Sequence, residues 1–199
     1  MLITFEGPEG AGKSTALASL AEMLREDGRD VVTTREPGAG SFGRQIRAIL
    51  LEGDDIDVKA ELLLFLADRA NHVASLIRPA LESGAVVLCD RFVDSTLVYQ
   101  SFVRGLDRDF IVSANAFATG GLVPDLTVLF DLDPQIGLAR LTSPDRMDRL
   151  PLEFHQQVRA GFLREFDADP ARWIKIDASQ DVLKVVTDLY AQVQKRIAS

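Results

Sequence analysis

A glycine-rich run near the beginning of the chain has the residue types and spacing of a phosphate-binding loop. The run and the residue after it are Gly7, Pro8, Glu9, Gly10, Ala11, Gly12, Lys13, Ser14 and Thr15. Glycines allow the backbone to curl, so that several N–H groups converge on one anion at the positive end of a helix. In this pattern Lys13 reaches the β- and γ-phosphates and the Ser14 hydroxyl binds Mg²⁺. The run predicts a nucleoside triphosphate site, and an ordinary strand-to-helix turn is the alternative.

Two acidic residues are expected near this loop: Glu9 within it and Asp90 at the end of a predicted strand. An unpaired Glu9 would repel phosphate, so we expect it to face a sugar hydroxyl, a cation or an arginine, unless it is a solvated surface residue. Asp90 ends the apolar run 86–89 and is followed by Arg91. An aspartate in that position supports Mg²⁺ in phosphate-loop enzymes, and the forked guanidinium of Arg91 suits a phosphate. A structural ion pair between these two neighbours is the alternative.

Two segments carry groups that suit the rest of a nucleotide. Arg35 and Glu36 precede a Pro-Gly turn, which places them at the end of a strand. Phe65 and Arg69 are four residues apart, so they share one face of a helix. An aromatic ring and a guanidinium on one face can stack on a base and donate to it. A solvated charge pair in the first segment, and core packing with a surface salt bridge in the second, are the alternatives.

A third segment offers neutral polar groups on one predicted helix. Thr96 and Gln100 are four residues apart and Tyr99 lies three residues after Thr96. One helix face therefore presents a hydroxyl, a phenol and an amide, which suit a base edge and a sugar. Ordinary polar residues on a helix surface are the alternative.

The polar segment Thr142–Pro151 is predicted to be an exposed flap between two helices. It carries Arg146 and Arg149. Phosphoryl transfer needs positive charge next to the group that is transferred. A lid that closes over the site can supply an arginine there while it excludes water. A solvated charged loop is the alternative.

Apolar, β-branched runs alternate with helical patterns along the chain. The predicted strands are residues 2–5, 30–34, 85–89, 126–132 and 173–176. The predicted helices are residues 13–27, 41–51, 58–83, 92–103, 107–119, 134–141, 152–166 and 181–197, with a kink at Pro79. The alternation predicts an α/β fold with a mainly parallel sheet and helices on both faces. Ligands of such a sheet bind beyond the carboxyl ends of the strands, where the phosphate loop, Arg35 and Asp90 fall.

Composition narrows the class of protein. The 199 residues are expected to form one domain; 30 are acidic and 22 basic, and the net charge is −8. This balance argues against a general nucleic-acid binder, whose affinity depends on neutralising phosphates. No apolar run is long enough for a transmembrane segment. Cys89 is the only cysteine and is expected to be buried, the two histidines suggest no metal cluster, and the cytoplasm is the expected compartment.

Together these segments resemble the bacterial thymidylate kinase family over nearly the whole chain. The matching stretches are residues 5–15, 34–38, 64–69, 90–92, 95–96, 99–100 and 158–163. The resemblance implies a three-layer P-loop NTPase fold with a five-stranded parallel sheet and a short lid at about residues 142–151. It implies transfer of the γ-phosphoryl group of ATP to dTMP, giving dTDP and ADP for dTTP biosynthesis. It also implies a homodimer formed through the long helices at residues 58–83 and 107–119.

The resemblance also implies roles for single residues. Phe65 would stack on thymine, Arg69 would donate to its edge, and Arg91 would hold the acceptor phosphate. Glu9 would face the deoxyribose 3′ hydroxyl. The other substrate-binding positions implied are Arg35, Ser95, Thr96, Tyr99 and Gln100.

The catalytic and metal positions follow from the same resemblance. Lys13 and Arg91 would be catalytic, and Ser14 and Asp90 would hold Mg²⁺. The phosphate loop contains no arginine, so in this branch of the family the lid supplies one. Arg146 and Arg149 are both candidates.

Two other functions remain open from the sequence. One is a kinase for another nucleoside monophosphate or for a deoxynucleoside. The other is a P-loop nucleotide switch with no small acceptor. The guanine-reading Asn-Lys-x-Asp segment of GTPase switches is absent from the sequence, which weighs against a GTPase.

Overall fold

A parallel sheet with a central, fully buried strand organises the protein. The computed structural model describes residues 1–197. Within them the strands are β1 (Leu2–Glu6), β2 (Val31–Arg35), β3 (Val86–Asp90), β4 (Leu126–Asp131) and β5 (Trp173–Asp177). Their order across the sheet is β2-β3-β1-β4-β5, and every pairing is parallel. Since β3 and β4 lie on opposite sides of β1, the chain crosses over the central strand, and a crevice forms at the carboxyl ends there.

Eight helices within the same residues connect and cover the strands. Two of them contain a π-helical stretch, so their bounds are given in parts. They are α1 (Lys13–Glu26), α2 (Gly40–Glu52), α3 (Val58–His72, then π-helical Val73–Ile77, then Arg78–Glu82), α4 (Val93–Thr96, then π-helical Leu97–Val103), α5 (Arg108–Thr119), α6 (Pro134–Ala139), α7 (Leu152–Ala168) and α8 (Val182–Ile197). Aspartate side chains cap three of them: Asp57 accepts from the Lys59 N–H before α3, Asp107 from the Phe110 N–H before α5, and Asp133 from the Gln135 N–H before α6.

Apolar side chains on both faces of the sheet give the fold three layers. On one face, Ile3 of β1 packs in a cluster with Leu20 of α1 and Leu189 of α8. On the other face, Leu2 of β1 packs in a cluster with Ile77 of α3. A further cluster joins strands β4 and β5 to α4 and α7; its buried members are Val98, Tyr99, Leu129, Met147, Val158, Phe162 and Trp173. Burying each leucine side chain contributes about 2 kcal/mol, so these clusters fix the strand ends that carry the site.

The predicted architecture is confirmed. Each predicted strand bound lies within one residue of the observed bound, and each predicted helix bound within two. The predicted kink at Pro79 corresponds to a change of hydrogen bonding rather than a break. Helix α3 passes through the π-helical turn Val73–Ile77, which ends two residues before Pro79, and Pro79 lacks an N–H to donate to the preceding turn.

The prediction of an exposed flap at Thr142–Pro151 is wrong for the middle of that segment. Met147 is buried in the cluster that joins α4 and α7. The N–H of Arg146 donates to the carbonyl of Leu51, and Asp145 accepts from the N–H groups of Met147 and Asp148. The segment is therefore a folded strap against α2 and α3, and we call residues 142–151 the lid strap.

No helix among residues 1–197 combines the length and apolar character that crossing a membrane requires.

Candidate active site

The phosphate loop follows β1 and leads directly into α1. Two of its glycines lie where a side chain could not fit, because a Cβ would come within 2.4 Å of the Phe130 carbonyl oxygen at Gly7 and within 2.0 Å of the Gly137 carbonyl oxygen at Gly10. Both have positive φ angles, which glycine alone adopts freely. Lys13 folds over the loop, and its Nζ donates to the carbonyls of Gly7 (2.9 Å) and Pro8 (2.7 Å). The lysine thus closes the loop on itself.

A cleft of about 620 Å³ opens in front of this loop. Its lining includes residues 9–16 of the loop and α1, together with Arg35, Glu36, Arg47, Asp90, Arg91 and Arg140. Burial, and then the neighbouring Arg91, lower the pKa of Lys13. Since the cations repel each other, a polyanion in the cleft would be attracted to all of them. The cleft therefore has the size and charge for the phosphates of a nucleotide.

A hydroxyl and a carboxylate meet at the edge of the cleft. Ser14 Oγ donates to Asp90 Oδ2 over 2.6 Å. Oxygen atoms of this kind, completed by phosphates and water, are the ligands that Mg²⁺ prefers. Within residues 1–197 no group of three or more His, Cys, Asp and Glu side chains could hold a metal alone. The pair therefore fits a magnesium ion that arrives with a nucleotide.

Arg91 directly follows β3 in a left-handed backbone conformation, with φ of 69°. Buried Glu6 of β1 holds the turn after it: Oε1 accepts from the N–H groups of Phe92 and Ser95, and Oε2 from Ser95 Oγ. Burial, together with the Asp94 carboxylate, raises the pKa of Glu6 to about 7. Left-handed residues other than glycine are strained by about 1 kcal/mol or more, and such strain persists where the surroundings enforce it. Glu6 supplies that enforcement and aims Arg91 at the loop.

Glu9 is paired with Arg91, and an arginine was one of the partners expected for it from the sequence. Its Oε1 accepts from Arg91 Nη2 over 2.5 Å and from the Tyr99 hydroxyl over 2.9 Å. Burial alone would raise the pKa of Glu9, but Arg91 and Lys13 lower it to about 2. Burial opposes the charge of Arg91 as well, yet Glu9 raises the pKa of that guanidinium above its ordinary value. Both groups are therefore charged at neutral pH.

A second, narrower pocket adjoins the cleft at Glu9, Arg47 and Arg91. Its lining brings together the predicted base and sugar residues, namely Phe65, Arg69, Ser95, Thr96, Tyr99 and Gln100. Arg69 is buried rather than on the surface, and it donates to Glu36 Oε2 (2.8 Å) and Thr96 Oγ1 (2.9 Å). It also donates to Asn115 Oδ1 (2.6 Å) and the Phe92 carbonyl (3.0 Å). Its plane is thus fixed, as base recognition requires.

The sharing of one helix face by Thr96 and Gln100 was predicted for a regular α-helix, and the helix type is different there. Leu97–Val103 is π-helical, so the rotation per residue is smaller than in an α-helix. Thr96, Tyr99 and Gln100 nevertheless all line the second pocket. The wider turn presents three nearly consecutive side chains to one cavity.

The two lid arginines occupy different environments. Arg146 donates through Nη2 to the buried carboxylate of Glu61 (2.7 Å) and through Nε to the Leu50 carbonyl (2.9 Å). Arg149 is exposed, and within residues 1–197 its guanidinium donates only to the Pro144 carbonyl of its own strap (3.1 Å). Of the two, Arg149 is therefore the one available to a bound phosphate without breaking a buried ion pair.

Sequence reasoning missed several residues that support the site. They are Glu6, Arg47, Glu61, His72, Asn115 and Arg140, which act through long-range contacts or line the cavities. The sequence pattern places Glu36 at the end of a strand but gives it no partner, and the structure buries it between Arg69 and His72. A charged residue inside an otherwise apolar helical pattern, as at Glu61, was the one signal that could have been followed.

Fold and site together define a P-loop phosphotransferase class of protein: a glycine-rich loop at the central strand, a hydroxyl–carboxylate pair that could hold Mg²⁺, and a second pocket that meets the cleft at an arginine. A family model for thymidylate kinase matches residues 5–189. The chain belongs to the thymidylate kinase family.

Individual relatives agree with this family membership. A thymidylate kinase of Synechococcus sp. (strain JA-2-3B'a(2-13)) is 48% identical over 197 residues, covering 99% of this chain and 96% of that protein. One from Pseudomonas fluorescens (strain Pf0-1) is 50% identical over 194 residues, covering 95% of this chain and 92% of that protein. The crystal structure of thymidylate kinase from Ehrlichia chaffeensis is similar in fold, with a TM-score of 0.82, 34% identity and coverage of 98% of both chains.

Proposed function

We propose that this protein transfers the γ-phosphoryl group of ATP to dTMP, giving dTDP and ADP. The observation that carries the proposal is the junction of the phosphate-loop cleft and the second pocket at Glu9, Arg47 and Arg91. A donor in the cleft and an acceptor in the pocket would bring their phosphates together there. Family membership supports ATP and dTMP as the two substrates.

On the donor side, residues Gly7–Thr15 would bind the triphosphate through backbone N–H groups at the start of α1. Lys13 Nζ would leave the carbonyls of Gly7 and Pro8 for the β- and γ-phosphates. Ser14 and Asp90 would hold Mg²⁺, which when bound supplies positive charge to the phosphates. Arg35 is exposed and lines the same cleft, where it would contact a substrate phosphate.

On the acceptor side, Phe65 would stack on the thymine and Arg69 would donate to its edge. Thr96, Tyr99 and Gln100 would line the base and sugar. Ser95 Oγ already accepts from Arg91 Nη1 over 3.1 Å, so it would hold that guanidinium beside the acceptor phosphate.

The transfer mainly requires that the two phosphates be aligned and that their negative charge be neutralised. The acceptor phosphate is an anion and needs no strong general base. Arg91 would orient it, while Lys13 and a lid arginine would offset the charge of the transferred group. We assign the lid role to Arg149, because Arg146 is already paired with Glu61.

We also propose a homodimer through α3 and α5. These neighbouring helices expose large apolar side chains, among them Leu63 (61% exposed) and Phe117 (90% exposed). Large aromatic side chains that are exposed in a single chain are typical of a surface that a second subunit buries.

An acceptor panel tests the proposed activity. The purified protein would be given ATP, Mg²⁺ and, in turn, dTMP, dUMP, AMP, GMP, CMP or thymidine. We expect ADP formation that depends on dTMP. ADP formation at the same rate without any acceptor would indicate a nucleotide switch, and preference for another acceptor would contradict the assignment of the second pocket.

A further inference from the structure

Glu61 of α3 is completely buried next to the second pocket without lining it. Its Oε1 accepts from Gln100 Nε2 over 2.9 Å, and its Oε2 accepts from Arg146 Nη2 over 2.7 Å. Arg104 Nε lies 3.3 Å from Oε1. One carboxylate thus joins a residue of the pocket to a residue of the lid strap, and two guanidinium groups balance its charge.

The carboxylate fixes which end of the Gln100 amide faces the pocket. A carboxylate has only acceptors, so it must bind the NH₂ end of an amide. The carbonyl end, Oε1, is then turned away from Glu61, and no group among residues 1–197 donates a hydrogen bond to it. Because Gln100 lines the second pocket, the Oε1 acceptor of its amide is held in one place beside that pocket.

Arg69 adds a donor to the same pocket. A guanidinium has five N–H groups. Within residues 1–197, four of them are used, by Glu36, Thr96, Asn115 and the Phe92 carbonyl. One Nη2 N–H remains. Arg69 and Gln100 therefore supply a fixed donor and a fixed acceptor, both held by buried partners.

This pair matches one kind of pyrimidine edge. A 4-keto pyrimidine offers an O4 acceptor beside an N3–H donor, whereas cytosine offers an N4 donor beside an N3 acceptor. We propose that Glu61 is a positioning residue for base specificity, which selects thymine over cytosine by holding the Gln100 amide in one orientation. The inference rests on the proposed binding of dTMP in this pocket. Through Arg146, the same carboxylate also ties that orientation to the lid strap.

The test is the ratio of kcat/KM for dTMP to that for dCMP in the wild type and in Glu61→Gln. An amide at position 61 can either accept from or donate to Gln100, so both orientations of Gln100 become available. We expect the ratio to fall roughly tenfold or more, the value of about one hydrogen bond, with the KM for ATP unchanged. Glu82→Gln is the matched control, because Glu82 is exposed on the same helix and should leave the ratio unchanged.

Glu61→Gln leaves Arg104 and Arg146 without a counter-charge and could therefore fail to fold. A second variant that conserves the total charge tests the proposal in that case. In Glu61→Gln/Gln100→Glu the amide at position 61 must donate to the carboxylate at position 100, whose second oxygen can only accept. We expect this double variant to recover the preference for dTMP to within about tenfold of the wild type. A purely structural role for Glu61 predicts no recovery of the ratio.

Two outcomes overturn the proposal: an unchanged ratio in folded Glu61→Gln, or a double variant that takes dCMP as readily as dTMP. Dissociation constants for dTMP and dCMP, measured by calorimetry on the same proteins, distinguish failure of the proposed kinase activity from failure of the role proposed for Glu61. A wild type that binds both nucleotides but phosphorylates neither contradicts the proposed function. In that case the ratio of the dissociation constants still decides whether Glu61 sets the specificity.

Discussion

Arg91 is the residue on which the two halves of the site converge. Its left-handed backbone, its ion pair with Glu9 and its bond to Ser95 all orient one guanidinium. Glu6 holds the turn from beneath. Strain at this single residue is tolerated because the buried carboxylate of β1 satisfies the amides that follow it.

Removal of either phosphate-facing cation should abolish most turnover. We expect Arg91→Ala and Lys13→Ala each to lower kcat by about 100-fold or more, because each removes charge that acts on a phosphate during transfer. Steady-state ADP release in the presence of dTMP measures the effect. Arg164→Ala, at an exposed arginine that stacks on Phe102, is the control and should retain normal turnover. Near-normal activity of either site variant would contradict the role assigned to it.

The raised pKa of Glu6 gives stability a defined pH dependence. The pKa is about 7 in the folded protein and 4.5 for a glutamate in water, so the folded state binds more protons than the unfolded chain between these values. The contribution of Glu6 is therefore fully present below about pH 4.5 and is lost as the pH rises through 7.

Glu6→Gln isolates this contribution, because Asp68, whose pKa burial raises to about 6, is retained in both proteins. Urea unfolding would be compared at about pH 5 and about pH 7.5. The stability advantage of the wild type over the variant should be larger at the lower pH, by up to a few kcal/mol. An advantage that is equal or larger at the higher pH would mean that Glu6 is not protonated in the fold.

At the scale of elements, the π-helical stretch of α4 and the lid strap shape the second pocket. The π-helical turn of α4 brings Tyr99 and Gln100 to one cavity. The strap contributes Met147 to the same lining and is pinned to α2 and α3 through Arg146. The pocket is thus made by two irregular features of the chain.

The two lid arginines should separate stability from turnover. We expect Arg149→Ala to lower kcat by roughly tenfold to a thousandfold with little change in Tm, because its guanidinium is exposed and serves the transferred phosphate only during transfer. Arg146→Ala should lower Tm, because it leaves Glu61 short of one buried partner. Thermal unfolding and steady-state kinetics on both variants decide this, and the reverse pattern would move the lid role to Arg146.

The sequence predicted the elements far better than the contacts between them. Strand bounds follow from local apolar runs, and the helix at Asp107 begins with a capping aspartate that is readable in sequence. The π-helical turns were missed, because the spacing of apolar residues does not distinguish them from an α-helix over one or two turns. Partners of Glu36 and Glu61 lie between 33 and 85 residues away in the chain, and no local pattern encodes such a distance.

At the scale of the whole molecule, positive side chains are concentrated in one cleft of an acidic protein. The net charge is −8, yet Lys13, Arg35, Arg47, Arg91 and Arg140 line a single cavity. Negative charge elsewhere would discourage nonspecific contacts with nucleic acid, while the cleft would still attract the proposed nucleotides. The exposed apolar side chains of α3 and α5 are the other large-scale feature.

Phe117→Asp should convert the proposed dimer into a monomer. A carboxylate placed at a side chain that is 90% exposed costs the isolated chain little, but it would be buried in the proposed interface. Light scattering coupled to gel filtration measures the mass. Leu183→Asp, at an equally open position on α8 (78% exposed), is the control and should remain dimeric. A wild type with the mass of a single chain would contradict the dimer.

Cys89 lies at zero exposure in the middle of β3, and its Sγ donates to the Arg91 carbonyl over 3.1 Å. Burial raises the pKa of this thiol well above its ordinary value, and the thiolate is the form that reacts. We therefore expect Cys89 not to react with maleimide dyes in the folded protein, so it need not be replaced before labelling. A fluorophore attached through Arg149→Cys would be its single label and would follow the strap as nucleotides arrive.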